Sequence, residues 1–278
     1  MTKSNEDVLI LEAGRIEKHY WLDLWRYREL FLILAWRDIS VRYKQTVIGV
    51  AWAIIRPVMT MVVFTVIFGK LAKLPSDGNT PYALLVFAAM LPWSLFSTAL
   101  SDASNSIIGN TNLISKVYFP RAIIPTATIA TAFIDFLISF FIMVLLMFYY
   151  HVLPGWHILF LPLFVLIALL ASIGPGLWIT ALNVKYRDFR YVVPFIVQFG
   201  LYISPVGFSS SIVPDKWRFL YGLNPLVGVI DGFRWCLLGG NSRIYFPSFI
   251  LSLGIVAFFM WFGVSEFRKM EKSFADLA

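Results

Sequence analysis

Charge is scarce in this sequence: 14% of its 278 residues are Asp, Glu, Lys or Arg, against about a quarter in a soluble domain. Such a chain cannot cover a water-facing surface of ordinary polarity, so a soluble enzyme is excluded. Thiol chemistry is nearly absent. The single Cys236 cannot close an intrachain disulfide, and with three histidines it falls short of the usual zinc ligand sets, so no metal site is expected. A Gly-x-x-x-x-Gly-Lys-[Ser/Thr] loop is also missing; Gly69-Lys70 runs into Leu71 without the upstream glycine. Nucleotide phosphates cannot be cradled here in the P-loop manner, and the energy for any active transport must arrive from another polypeptide. Paired carboxylates, Ser-His-Asp sets and Cys-His sets beside an aqueous pocket are absent, and His19, His151 and His157 stand isolated.

Apolar surface is what the chain has in abundance. Hydrophobic residues make up 59% of it, including 26 Phe, 12 Tyr and 10 Trp, and the mean hydropathy is +0.76. About 20 apolar residues cross the roughly 30 Å hydrocarbon core of a bilayer. Six stretches meet or approach that length: Val47 to Phe68, Tyr82 to Leu100, Ile123 to Tyr150, Ile158 to Leu182, Tyr191 to Phe208 and Pro247 to Val264. The expected fold class is an all-α membrane protein with six transmembrane helices. Only Arg56 and Asp135 place a charge inside these spans. The N-terminus, beginning Met1-Thr2-Lys3-Ser4, has no apolar core nearby, so no cleavable secretory signal is expected.

The net charge of +7 reports orientation and not affinity for nucleic acid. Six spans put both termini on one side, together with the loops after spans two and four. That side holds Lys3, Arg15, Lys18, Arg26, Arg28, Arg37, Arg42, Lys44, Lys116, Arg121, Lys185, Arg187, Arg190, Arg268, Lys269 and Lys272. The opposite side holds Lys70, Lys73, Lys216, Arg218, Arg234 and Arg243. The excess marks the first side as cytoplasmic, with both termini inside. The chain then divides into a cytoplasmic segment at 1–21, an interfacial helix at 22–46, a six-span domain at 47–264 and a cytoplasmic tail at 265–278.

Three segments do not span. Leu22 to Lys44 carries too many charges to cross, and its mixture of Trp21, Trp25, Tyr27, Trp36 and Tyr43 with basic residues suits an amphipathic helix in the headgroup layer. A short seventh span starting near Leu30 is the alternative, and it would invert the charge bias. Within the loop 101–122, Asn110 or Thr111 can cap a helix that Pro120 stops. Its Leu113, Ile114, Val117, Tyr118 and Phe119 fit either a partner's apolar groove or the bundle itself. On the outer side, 209–246, Asn224-Pro225 starts and Gly239-Gly240 stops a helix of about 13 residues, roughly 20 Å and too short to cross. Asp231 and Arg234 sit at i, i+3 on it and can neutralise one another. Together with the brief piece Ile212 to Tyr221 it reads as a re-entrant pore mouth.

The run Trp36-Arg37-Asp38-Ile39-Ser40-Val41-Arg42-Tyr43-Lys44-Gln45-Thr46, followed by Gly49-Val50-Ala51-Trp52-Ala53, resembles the type-2 export permeases of the ABC transporter superfamily. More narrowly it is similar to the membrane subunits of polysaccharide exporters of the O-antigen, capsule and teichoic-acid type. Leu91-Pro92-Trp93-Ser94-Leu95-Phe96, Lys116-Val117-Tyr118-Phe119-Pro120-Arg121, Leu223-Asn224-Pro225-Leu226 and Gly232-Phe233-Arg234 agree with it. The resemblance runs from about Leu24 to the end of the sixth span and assigns residues 1–21 no function. It implies a homodimer in the bacterial inner membrane, bound to two copies of a cytoplasmic ATPase that holds the ATP and Mg, with no cofactor in this chain. It implies a lipid-linked glycan as cargo. Asn110, Leu113, Ile114, Lys116, Val117, Tyr118, Phe119 and Arg121 would then form the ATPase-coupling element, and Asn224, Pro225, Asp231, Phe233 and Arg234 the outer gate.

A sugar polymer slides best over weak, repeated contacts. Trp52, Phe64, Phe68, Phe87, Trp93, Phe96, Phe195, Phe199 and Tyr202 are the candidate channel rings; Phe195, Phe199 and Tyr202 share one helical face. Packing against lipid or other helices is the alternative for each. Arg56 lies nine residues past Val47 and Asp135 twelve past Ile123, roughly 14 and 18 Å deep, so the two can meet as an intramembrane pair. Alternatively Arg56 meets the lipid diphosphate as it loads, helped by Arg37, Arg42 and Lys44 at the membrane surface. Two further alternatives are export of a small lipid or drug and a membrane enzyme acting on polyprenyl lipids, which would need a cluster of acidic or His residues that the sequence does not show.

Overall fold

The computed structural model describes residues 20–44, 49–78, 80–186, 188–240, 242, 244–271 and 274. Among them every regular element is helical. In chain order these are α1 (Tyr20–Arg26), α2 (Arg28–Lys44), α3 (Gly49–Phe64, continued by a π-helical stretch Thr65–Leu71), α4 (Tyr82–Gly109), α5 (Thr111–Lys116) and α6 (Ile123–Tyr149). They are followed by α7 (Leu161–Lys185, entered through the 3-10 turn Trp156–Phe160), α8 (Phe189–Ile203), α9 (Asp215–Tyr221), α10 (Pro225–Leu237) and α11 (Phe246–Met270). The expected segment 1–21 up to residue 19, the junction 45–48, Arg187, Arg243, Lys272 and the end of the tail lie outside the described residues.

Among the described residues, five helices are long and apolar enough to cross a bilayer: α3 with its extension, α4, α6, α7 with its entering turn, and α11. The sixth expected span is shorter than the sequence implied. α8 has 15 residues, about 22 Å, and ends at Ile203 instead of continuing to Phe208. Pro205 is the cause: the residue before a proline is driven out of helical geometry, and Ser204 has ψ 151°. The expected helix at 22–46 is likewise two pieces, α1 and α2, broken at Tyr27.

α4 is the axle of the molecule. From Tyr82 to Ser101 its residues are small or apolar all the way round, the pattern of a helix buried on every side, and most of them are buried. It packs against α6, α7, α10, α3 and α8, while α2 lies along α6 and α11 along α7. The short α10 is wedged among α4, α7 and α11, with eleven residues from Leu226 to Leu237 buried. Its ends follow from local chemistry. Asn224 caps the start by accepting from the Leu226 amide (3.0 Å), and Gly239 and Gly240 stop it at φ +67° and +79°.

Hydrogen bonds and small residues hold the long helices together where hydrophobic burial gives little advantage over lipid. Thr180 on α7 donates to the Ala103 carbonyl of α4 (2.8 Å), and Asn183 donates to that of Ser104 (2.7 Å). α7 and α11 touch backbone to backbone at Gly174 and Gly263. A Cβ on Gly263 would stand 2.0 Å from the Gly174 carbonyl oxygen. Gly263→Val is therefore expected to lower stability by about 1–3 kcal/mol through overpacking. Gly254→Ala on the same helix, where a Cβ meets nothing within 4 Å, should leave it unchanged. Thermal unfolding of the purified protein in detergent distinguishes the two.

Candidate functional site

One end of the bundle carries the 110–122 loop. α5 has only six residues, and Asn110 precedes it without a side-chain cap, donating instead to the Ser106 carbonyl (2.8 Å). The apolar side chains split between inside and outside. Ile114 and Phe119 are buried with Leu34, Ile107, Leu177, Phe267 and Phe274, whereas Val117 and Tyr118 are each 49% exposed and Lys116 is exposed. Of the two placements the sequence left open, Ile114 and Phe119 take the bundle while Val117 and Tyr118 protrude; a helix this short needs such anchoring to hold its shape. Arg121 does not project outward. Its backbone N–H donates to the Glu271 carboxylate (2.6 Å), its guanidinium donates to the Glu271 carbonyl (2.9 Å), and the same group sits over the Phe274 ring. Burial pushes the Glu271 carboxyl up, and the Arg121 amide opposes that shift. Nothing in the sequence marked Glu271 as a partner of Arg121, 150 residues away.

The intramembrane pair is different from the one expected. Asp135 on α6 binds Arg42 (2.9 Å) and accepts a hydrogen bond from the Tyr43 hydroxyl; Arg42 also reaches Asp102 on α4 (3.1 Å). Arg56 is exposed on α3, and among the described residues no ion pair includes it. Matching depth was the basis for pairing Arg56 with Asp135, but depth leaves the rotation of each helix about its axis open. Burial and then Asp135 hold the Tyr43 phenol above its usual range, so it stays a donor. The other surface cations have their own contacts: Arg37 bridges Asp38 (2.7 Å) and Lys44 lies over Trp36.

The candidate rings fall into two groups. Phe64, Phe87, Trp93 and Phe96 are buried in the core, so as channel rings they are corrected: within the protomer they pack helices. Gly200 of α8 approaches Trp93 so closely that a Cβ there would lie 2.7 Å from its ring. Phe68 is partly buried against the same core. Trp52 on α3 and Phe195, Phe199 and Tyr202 on α8 are 50–60% exposed. The rings of Phe195 and Phe199 are 4.2 Å apart, and Tyr202 approaches Phe64 of α3 at 6.4 Å. Trp52 and Arg56 lie one turn apart on α3, and α8 meets α3 through Tyr202 and Phe64.

The opposite end is organised by Arg234. It is wholly buried and donates to the carbonyls of Leu85 (3.1 Å), Phe208 (3.0 Å) and Val206 (3.3 Å). Asp231 does not bridge to it, as the i, i+3 spacing had implied. Asp231 accepts from Ser210 (2.8 Å), and burial raises its carboxyl against the opposing field of Arg234. Phe233 is buried edge-on to Phe136, and Asn224 also reaches Ser204 (2.9 Å). The sequence reading passed over Asp77, which accepts from Ser209 (2.5 Å) and Ser242 (2.6 Å). One carboxylate therefore ties the α3–α4 loop to both ends of the re-entrant region.

Lysine at position 234 would keep a charge but cannot spread donors over three carbonyls. Arg234→Lys is expected to cost about 1–3 kcal/mol by orphaning buried acceptors, with Ser210→Ala costing less. Thermal midpoints in detergent, with membrane abundance as a second readout, check this.

Residues 29–238, from α2 to the end of α10, match the ABC-2 type transporter family. The chain is similar to the O-antigen export system permease protein RfbA of Myxococcus xanthus, 26% identical over 257 residues that cover 91% of this chain and 97% of that protein. A protein of the same description from Klebsiella pneumoniae is 25% identical over 253 residues, covering 90% and 95%. The inner membrane transport permease YadH of Escherichia coli (strain K12) is 26% identical over 223 residues, covering 74% and 84%. With the family match covering most of the chain and a bundle of bilayer-length helices beneath it, this protein belongs to the ABC-2 type transporter family as a multi-pass membrane permease subunit.

Proposed function

We propose that this chain is the membrane subunit of an ATP-driven exporter that moves a lipid-linked polysaccharide of the O-antigen type across the bacterial inner membrane. The observation that carries this is the nearly end-to-end match, in both directions, to permeases described as O-antigen exporters. The geometry is in keeping with it. A glycan needs a broad path of weak contacts, and the exposed rings on α3 and α8 supply aromatic surface at membrane depth. Arg56 is too costly to leave in hydrocarbon. A water-filled path between two copies of the chain would solvate it and set it against the diphosphate of the lipid carrier.

Two protomers would pair around that path, each with α1 and α2 at the headgroup layer and both termini in the cytoplasm. A separate ATPase would seat on Lys116, Val117 and Tyr118, the part of the 110–122 loop that protrudes, while Ile114 and Phe119 hold the loop to the bundle. ATP and Mg belong to that subunit. α8, with α9 and α10, would complete the sixth crossing and form the outer gate.

In a strain lacking this chain, lipid-linked glycan is expected to accumulate inside the cell, and reintroducing the chain should clear it. Arg56→Gln should lower export about tenfold or more if the guanidinium meets phosphate, given about 1.5–3 kcal/mol for a charge-assisted bond; Arg56→Lys should lose less. Replacing Phe195, Phe199 and Tyr202 together with Ala should slow export severalfold at unchanged membrane abundance. Normal surface glycan in the deletion strain would overturn the assignment.

A further inference from the structure

Arg42 joins α2 to both α4 and α6 through charge-assisted bonds. One guanidinium nitrogen lies 2.9 Å from Asp135 on α6 and another 3.1 Å from Asp102 on α4. The neighbouring Tyr43 hydroxyl donates to the second oxygen of Asp135. α4 and α6 are the helices on either side of the 110–122 loop: Asp102 lies two turns before its start, and Asp135 lies twelve residues after α6 begins at Ile123. Arg42 itself is in the last turn of α2, just ahead of the connection into α3. A cation there also suits the negative end of the α2 dipole.

The local charge is unbalanced. Two carboxylates share one guanidinium, and Asp38 adds to the negative field around Asp102 although Arg37 bridges it. If Arg42 withdraws, Asp102 and Asp135 are left facing each other, partly buried and without their shared cation. Motion of α2 relative to α4 or α6 therefore has to break charge-assisted bonds, whereas motion of the three together breaks none. Arginine suits this because its fork can serve two acceptors at fixed angles, which a lysine ammonium does less well.

We propose that Arg42 is a positioning residue that makes α2, α4 and α6 move as one body, so that a push on the 110–122 loop reaches the first span undiminished. This deepens the exporter reading and rests on it for the source of the push. The three bridged side chains are 34%, 32% and 25% exposed, so the cluster is a linkage at the edge of the bundle and not the centre of its core. It is built from side chains 60 and 93 positions away in sequence from Arg42.

The test uses the full chain assembled with its ATPase subunit in lipid nanodiscs. Spin labels are placed at Ile33→Cys on α2 and Phe141→Cys on α6, both exposed, with the native Cys236 buried. In the otherwise unaltered chain the α2–α6 distance should hold a single value with and without ATP. In Arg42→Gln it should shift or broaden when ATP is added, and export per ATP hydrolysed should fall about 2- to 30-fold while hydrolysis continues. Arg42→Lys should lie between them. Asp102→Asn, which leaves the Asp135 arm in place, should show the same change in weaker form and serves if Arg42→Gln does not fold. An unaltered distance and export ratio in these variants would overturn the proposal. So would loss of hydrolysis and ATPase binding in step with export, the mark of a merely structural role. The distance readout needs no cargo, so a wrong cargo silences the export arm alone.

Discussion

A buried charge at membrane depth is costly unless another part of the chain answers it. Arg234 shows the constraint at its most severe. Its charge is wholly buried, and it is tolerated because three backbone carbonyls converge on it, with Asp231 and Asp77 contributing opposite field. Those carbonyls come from the start of α4 and from the turn that follows α8. The turn at 204–208 is where the chain leaves helical geometry, and freed backbone groups at that depth need donors. Arg234 is both the most expensive residue at this end and the one that satisfies the break beside it.

The same logic explains why the helices are joined in two ways. α4, α7 and α11 meet through small residues and a few hydroxyl-to-carbonyl bonds, which permit close approach and resist sliding. Elsewhere charge does the joining: Arg42 with Asp102 and Asp135, Arg121 with Glu271, Asp77 with Ser209 and Ser242. Charge-assisted bonds are directional and can be exchanged, whereas the close Gly174–Gly263 crossing has no second arrangement without separation of the helices. α4 runs the length of the bundle, from Tyr82 beside the Asp77 loop to Gly109 against α5.

Much of this architecture was legible in the sequence for simple reasons. Bilayer thickness sets a minimum length for an apolar run, so six runs stood out, five of which are helices of bilayer length. Asn224-Pro225 and Gly239-Gly240 punctuate α10 by chemistry confined to a few residues. Family membership was carried by short strings such as Trp36 to Thr46 and Lys116 to Arg121. α8 was misjudged by five residues, since hydropathy continues through Val206 to Phe208 although Pro205 bars the helix from following it.

Pairing was a different matter. Composition and depth established that Arg56, Asp135, Asp231 and Arg234 each needed company, but the partner depends on which way each helix is turned about its axis, and only packing sets that angle. Arg56 turned outward while Arg42, from a helix outside the spans, took Asp135; Asp231 went to Ser210, and Arg234 to backbone oxygens that no side-chain pattern records. The rings divided for the same reason, Phe87 and Trp93 inward and Phe195 and Phe199 outward, although all four sit in equally apolar runs. Hydrophobicity and chain length, which are local, determined that helices would form and span; the rotation of each helix against its neighbours, which is collective, decided which charges and rings were left facing outward.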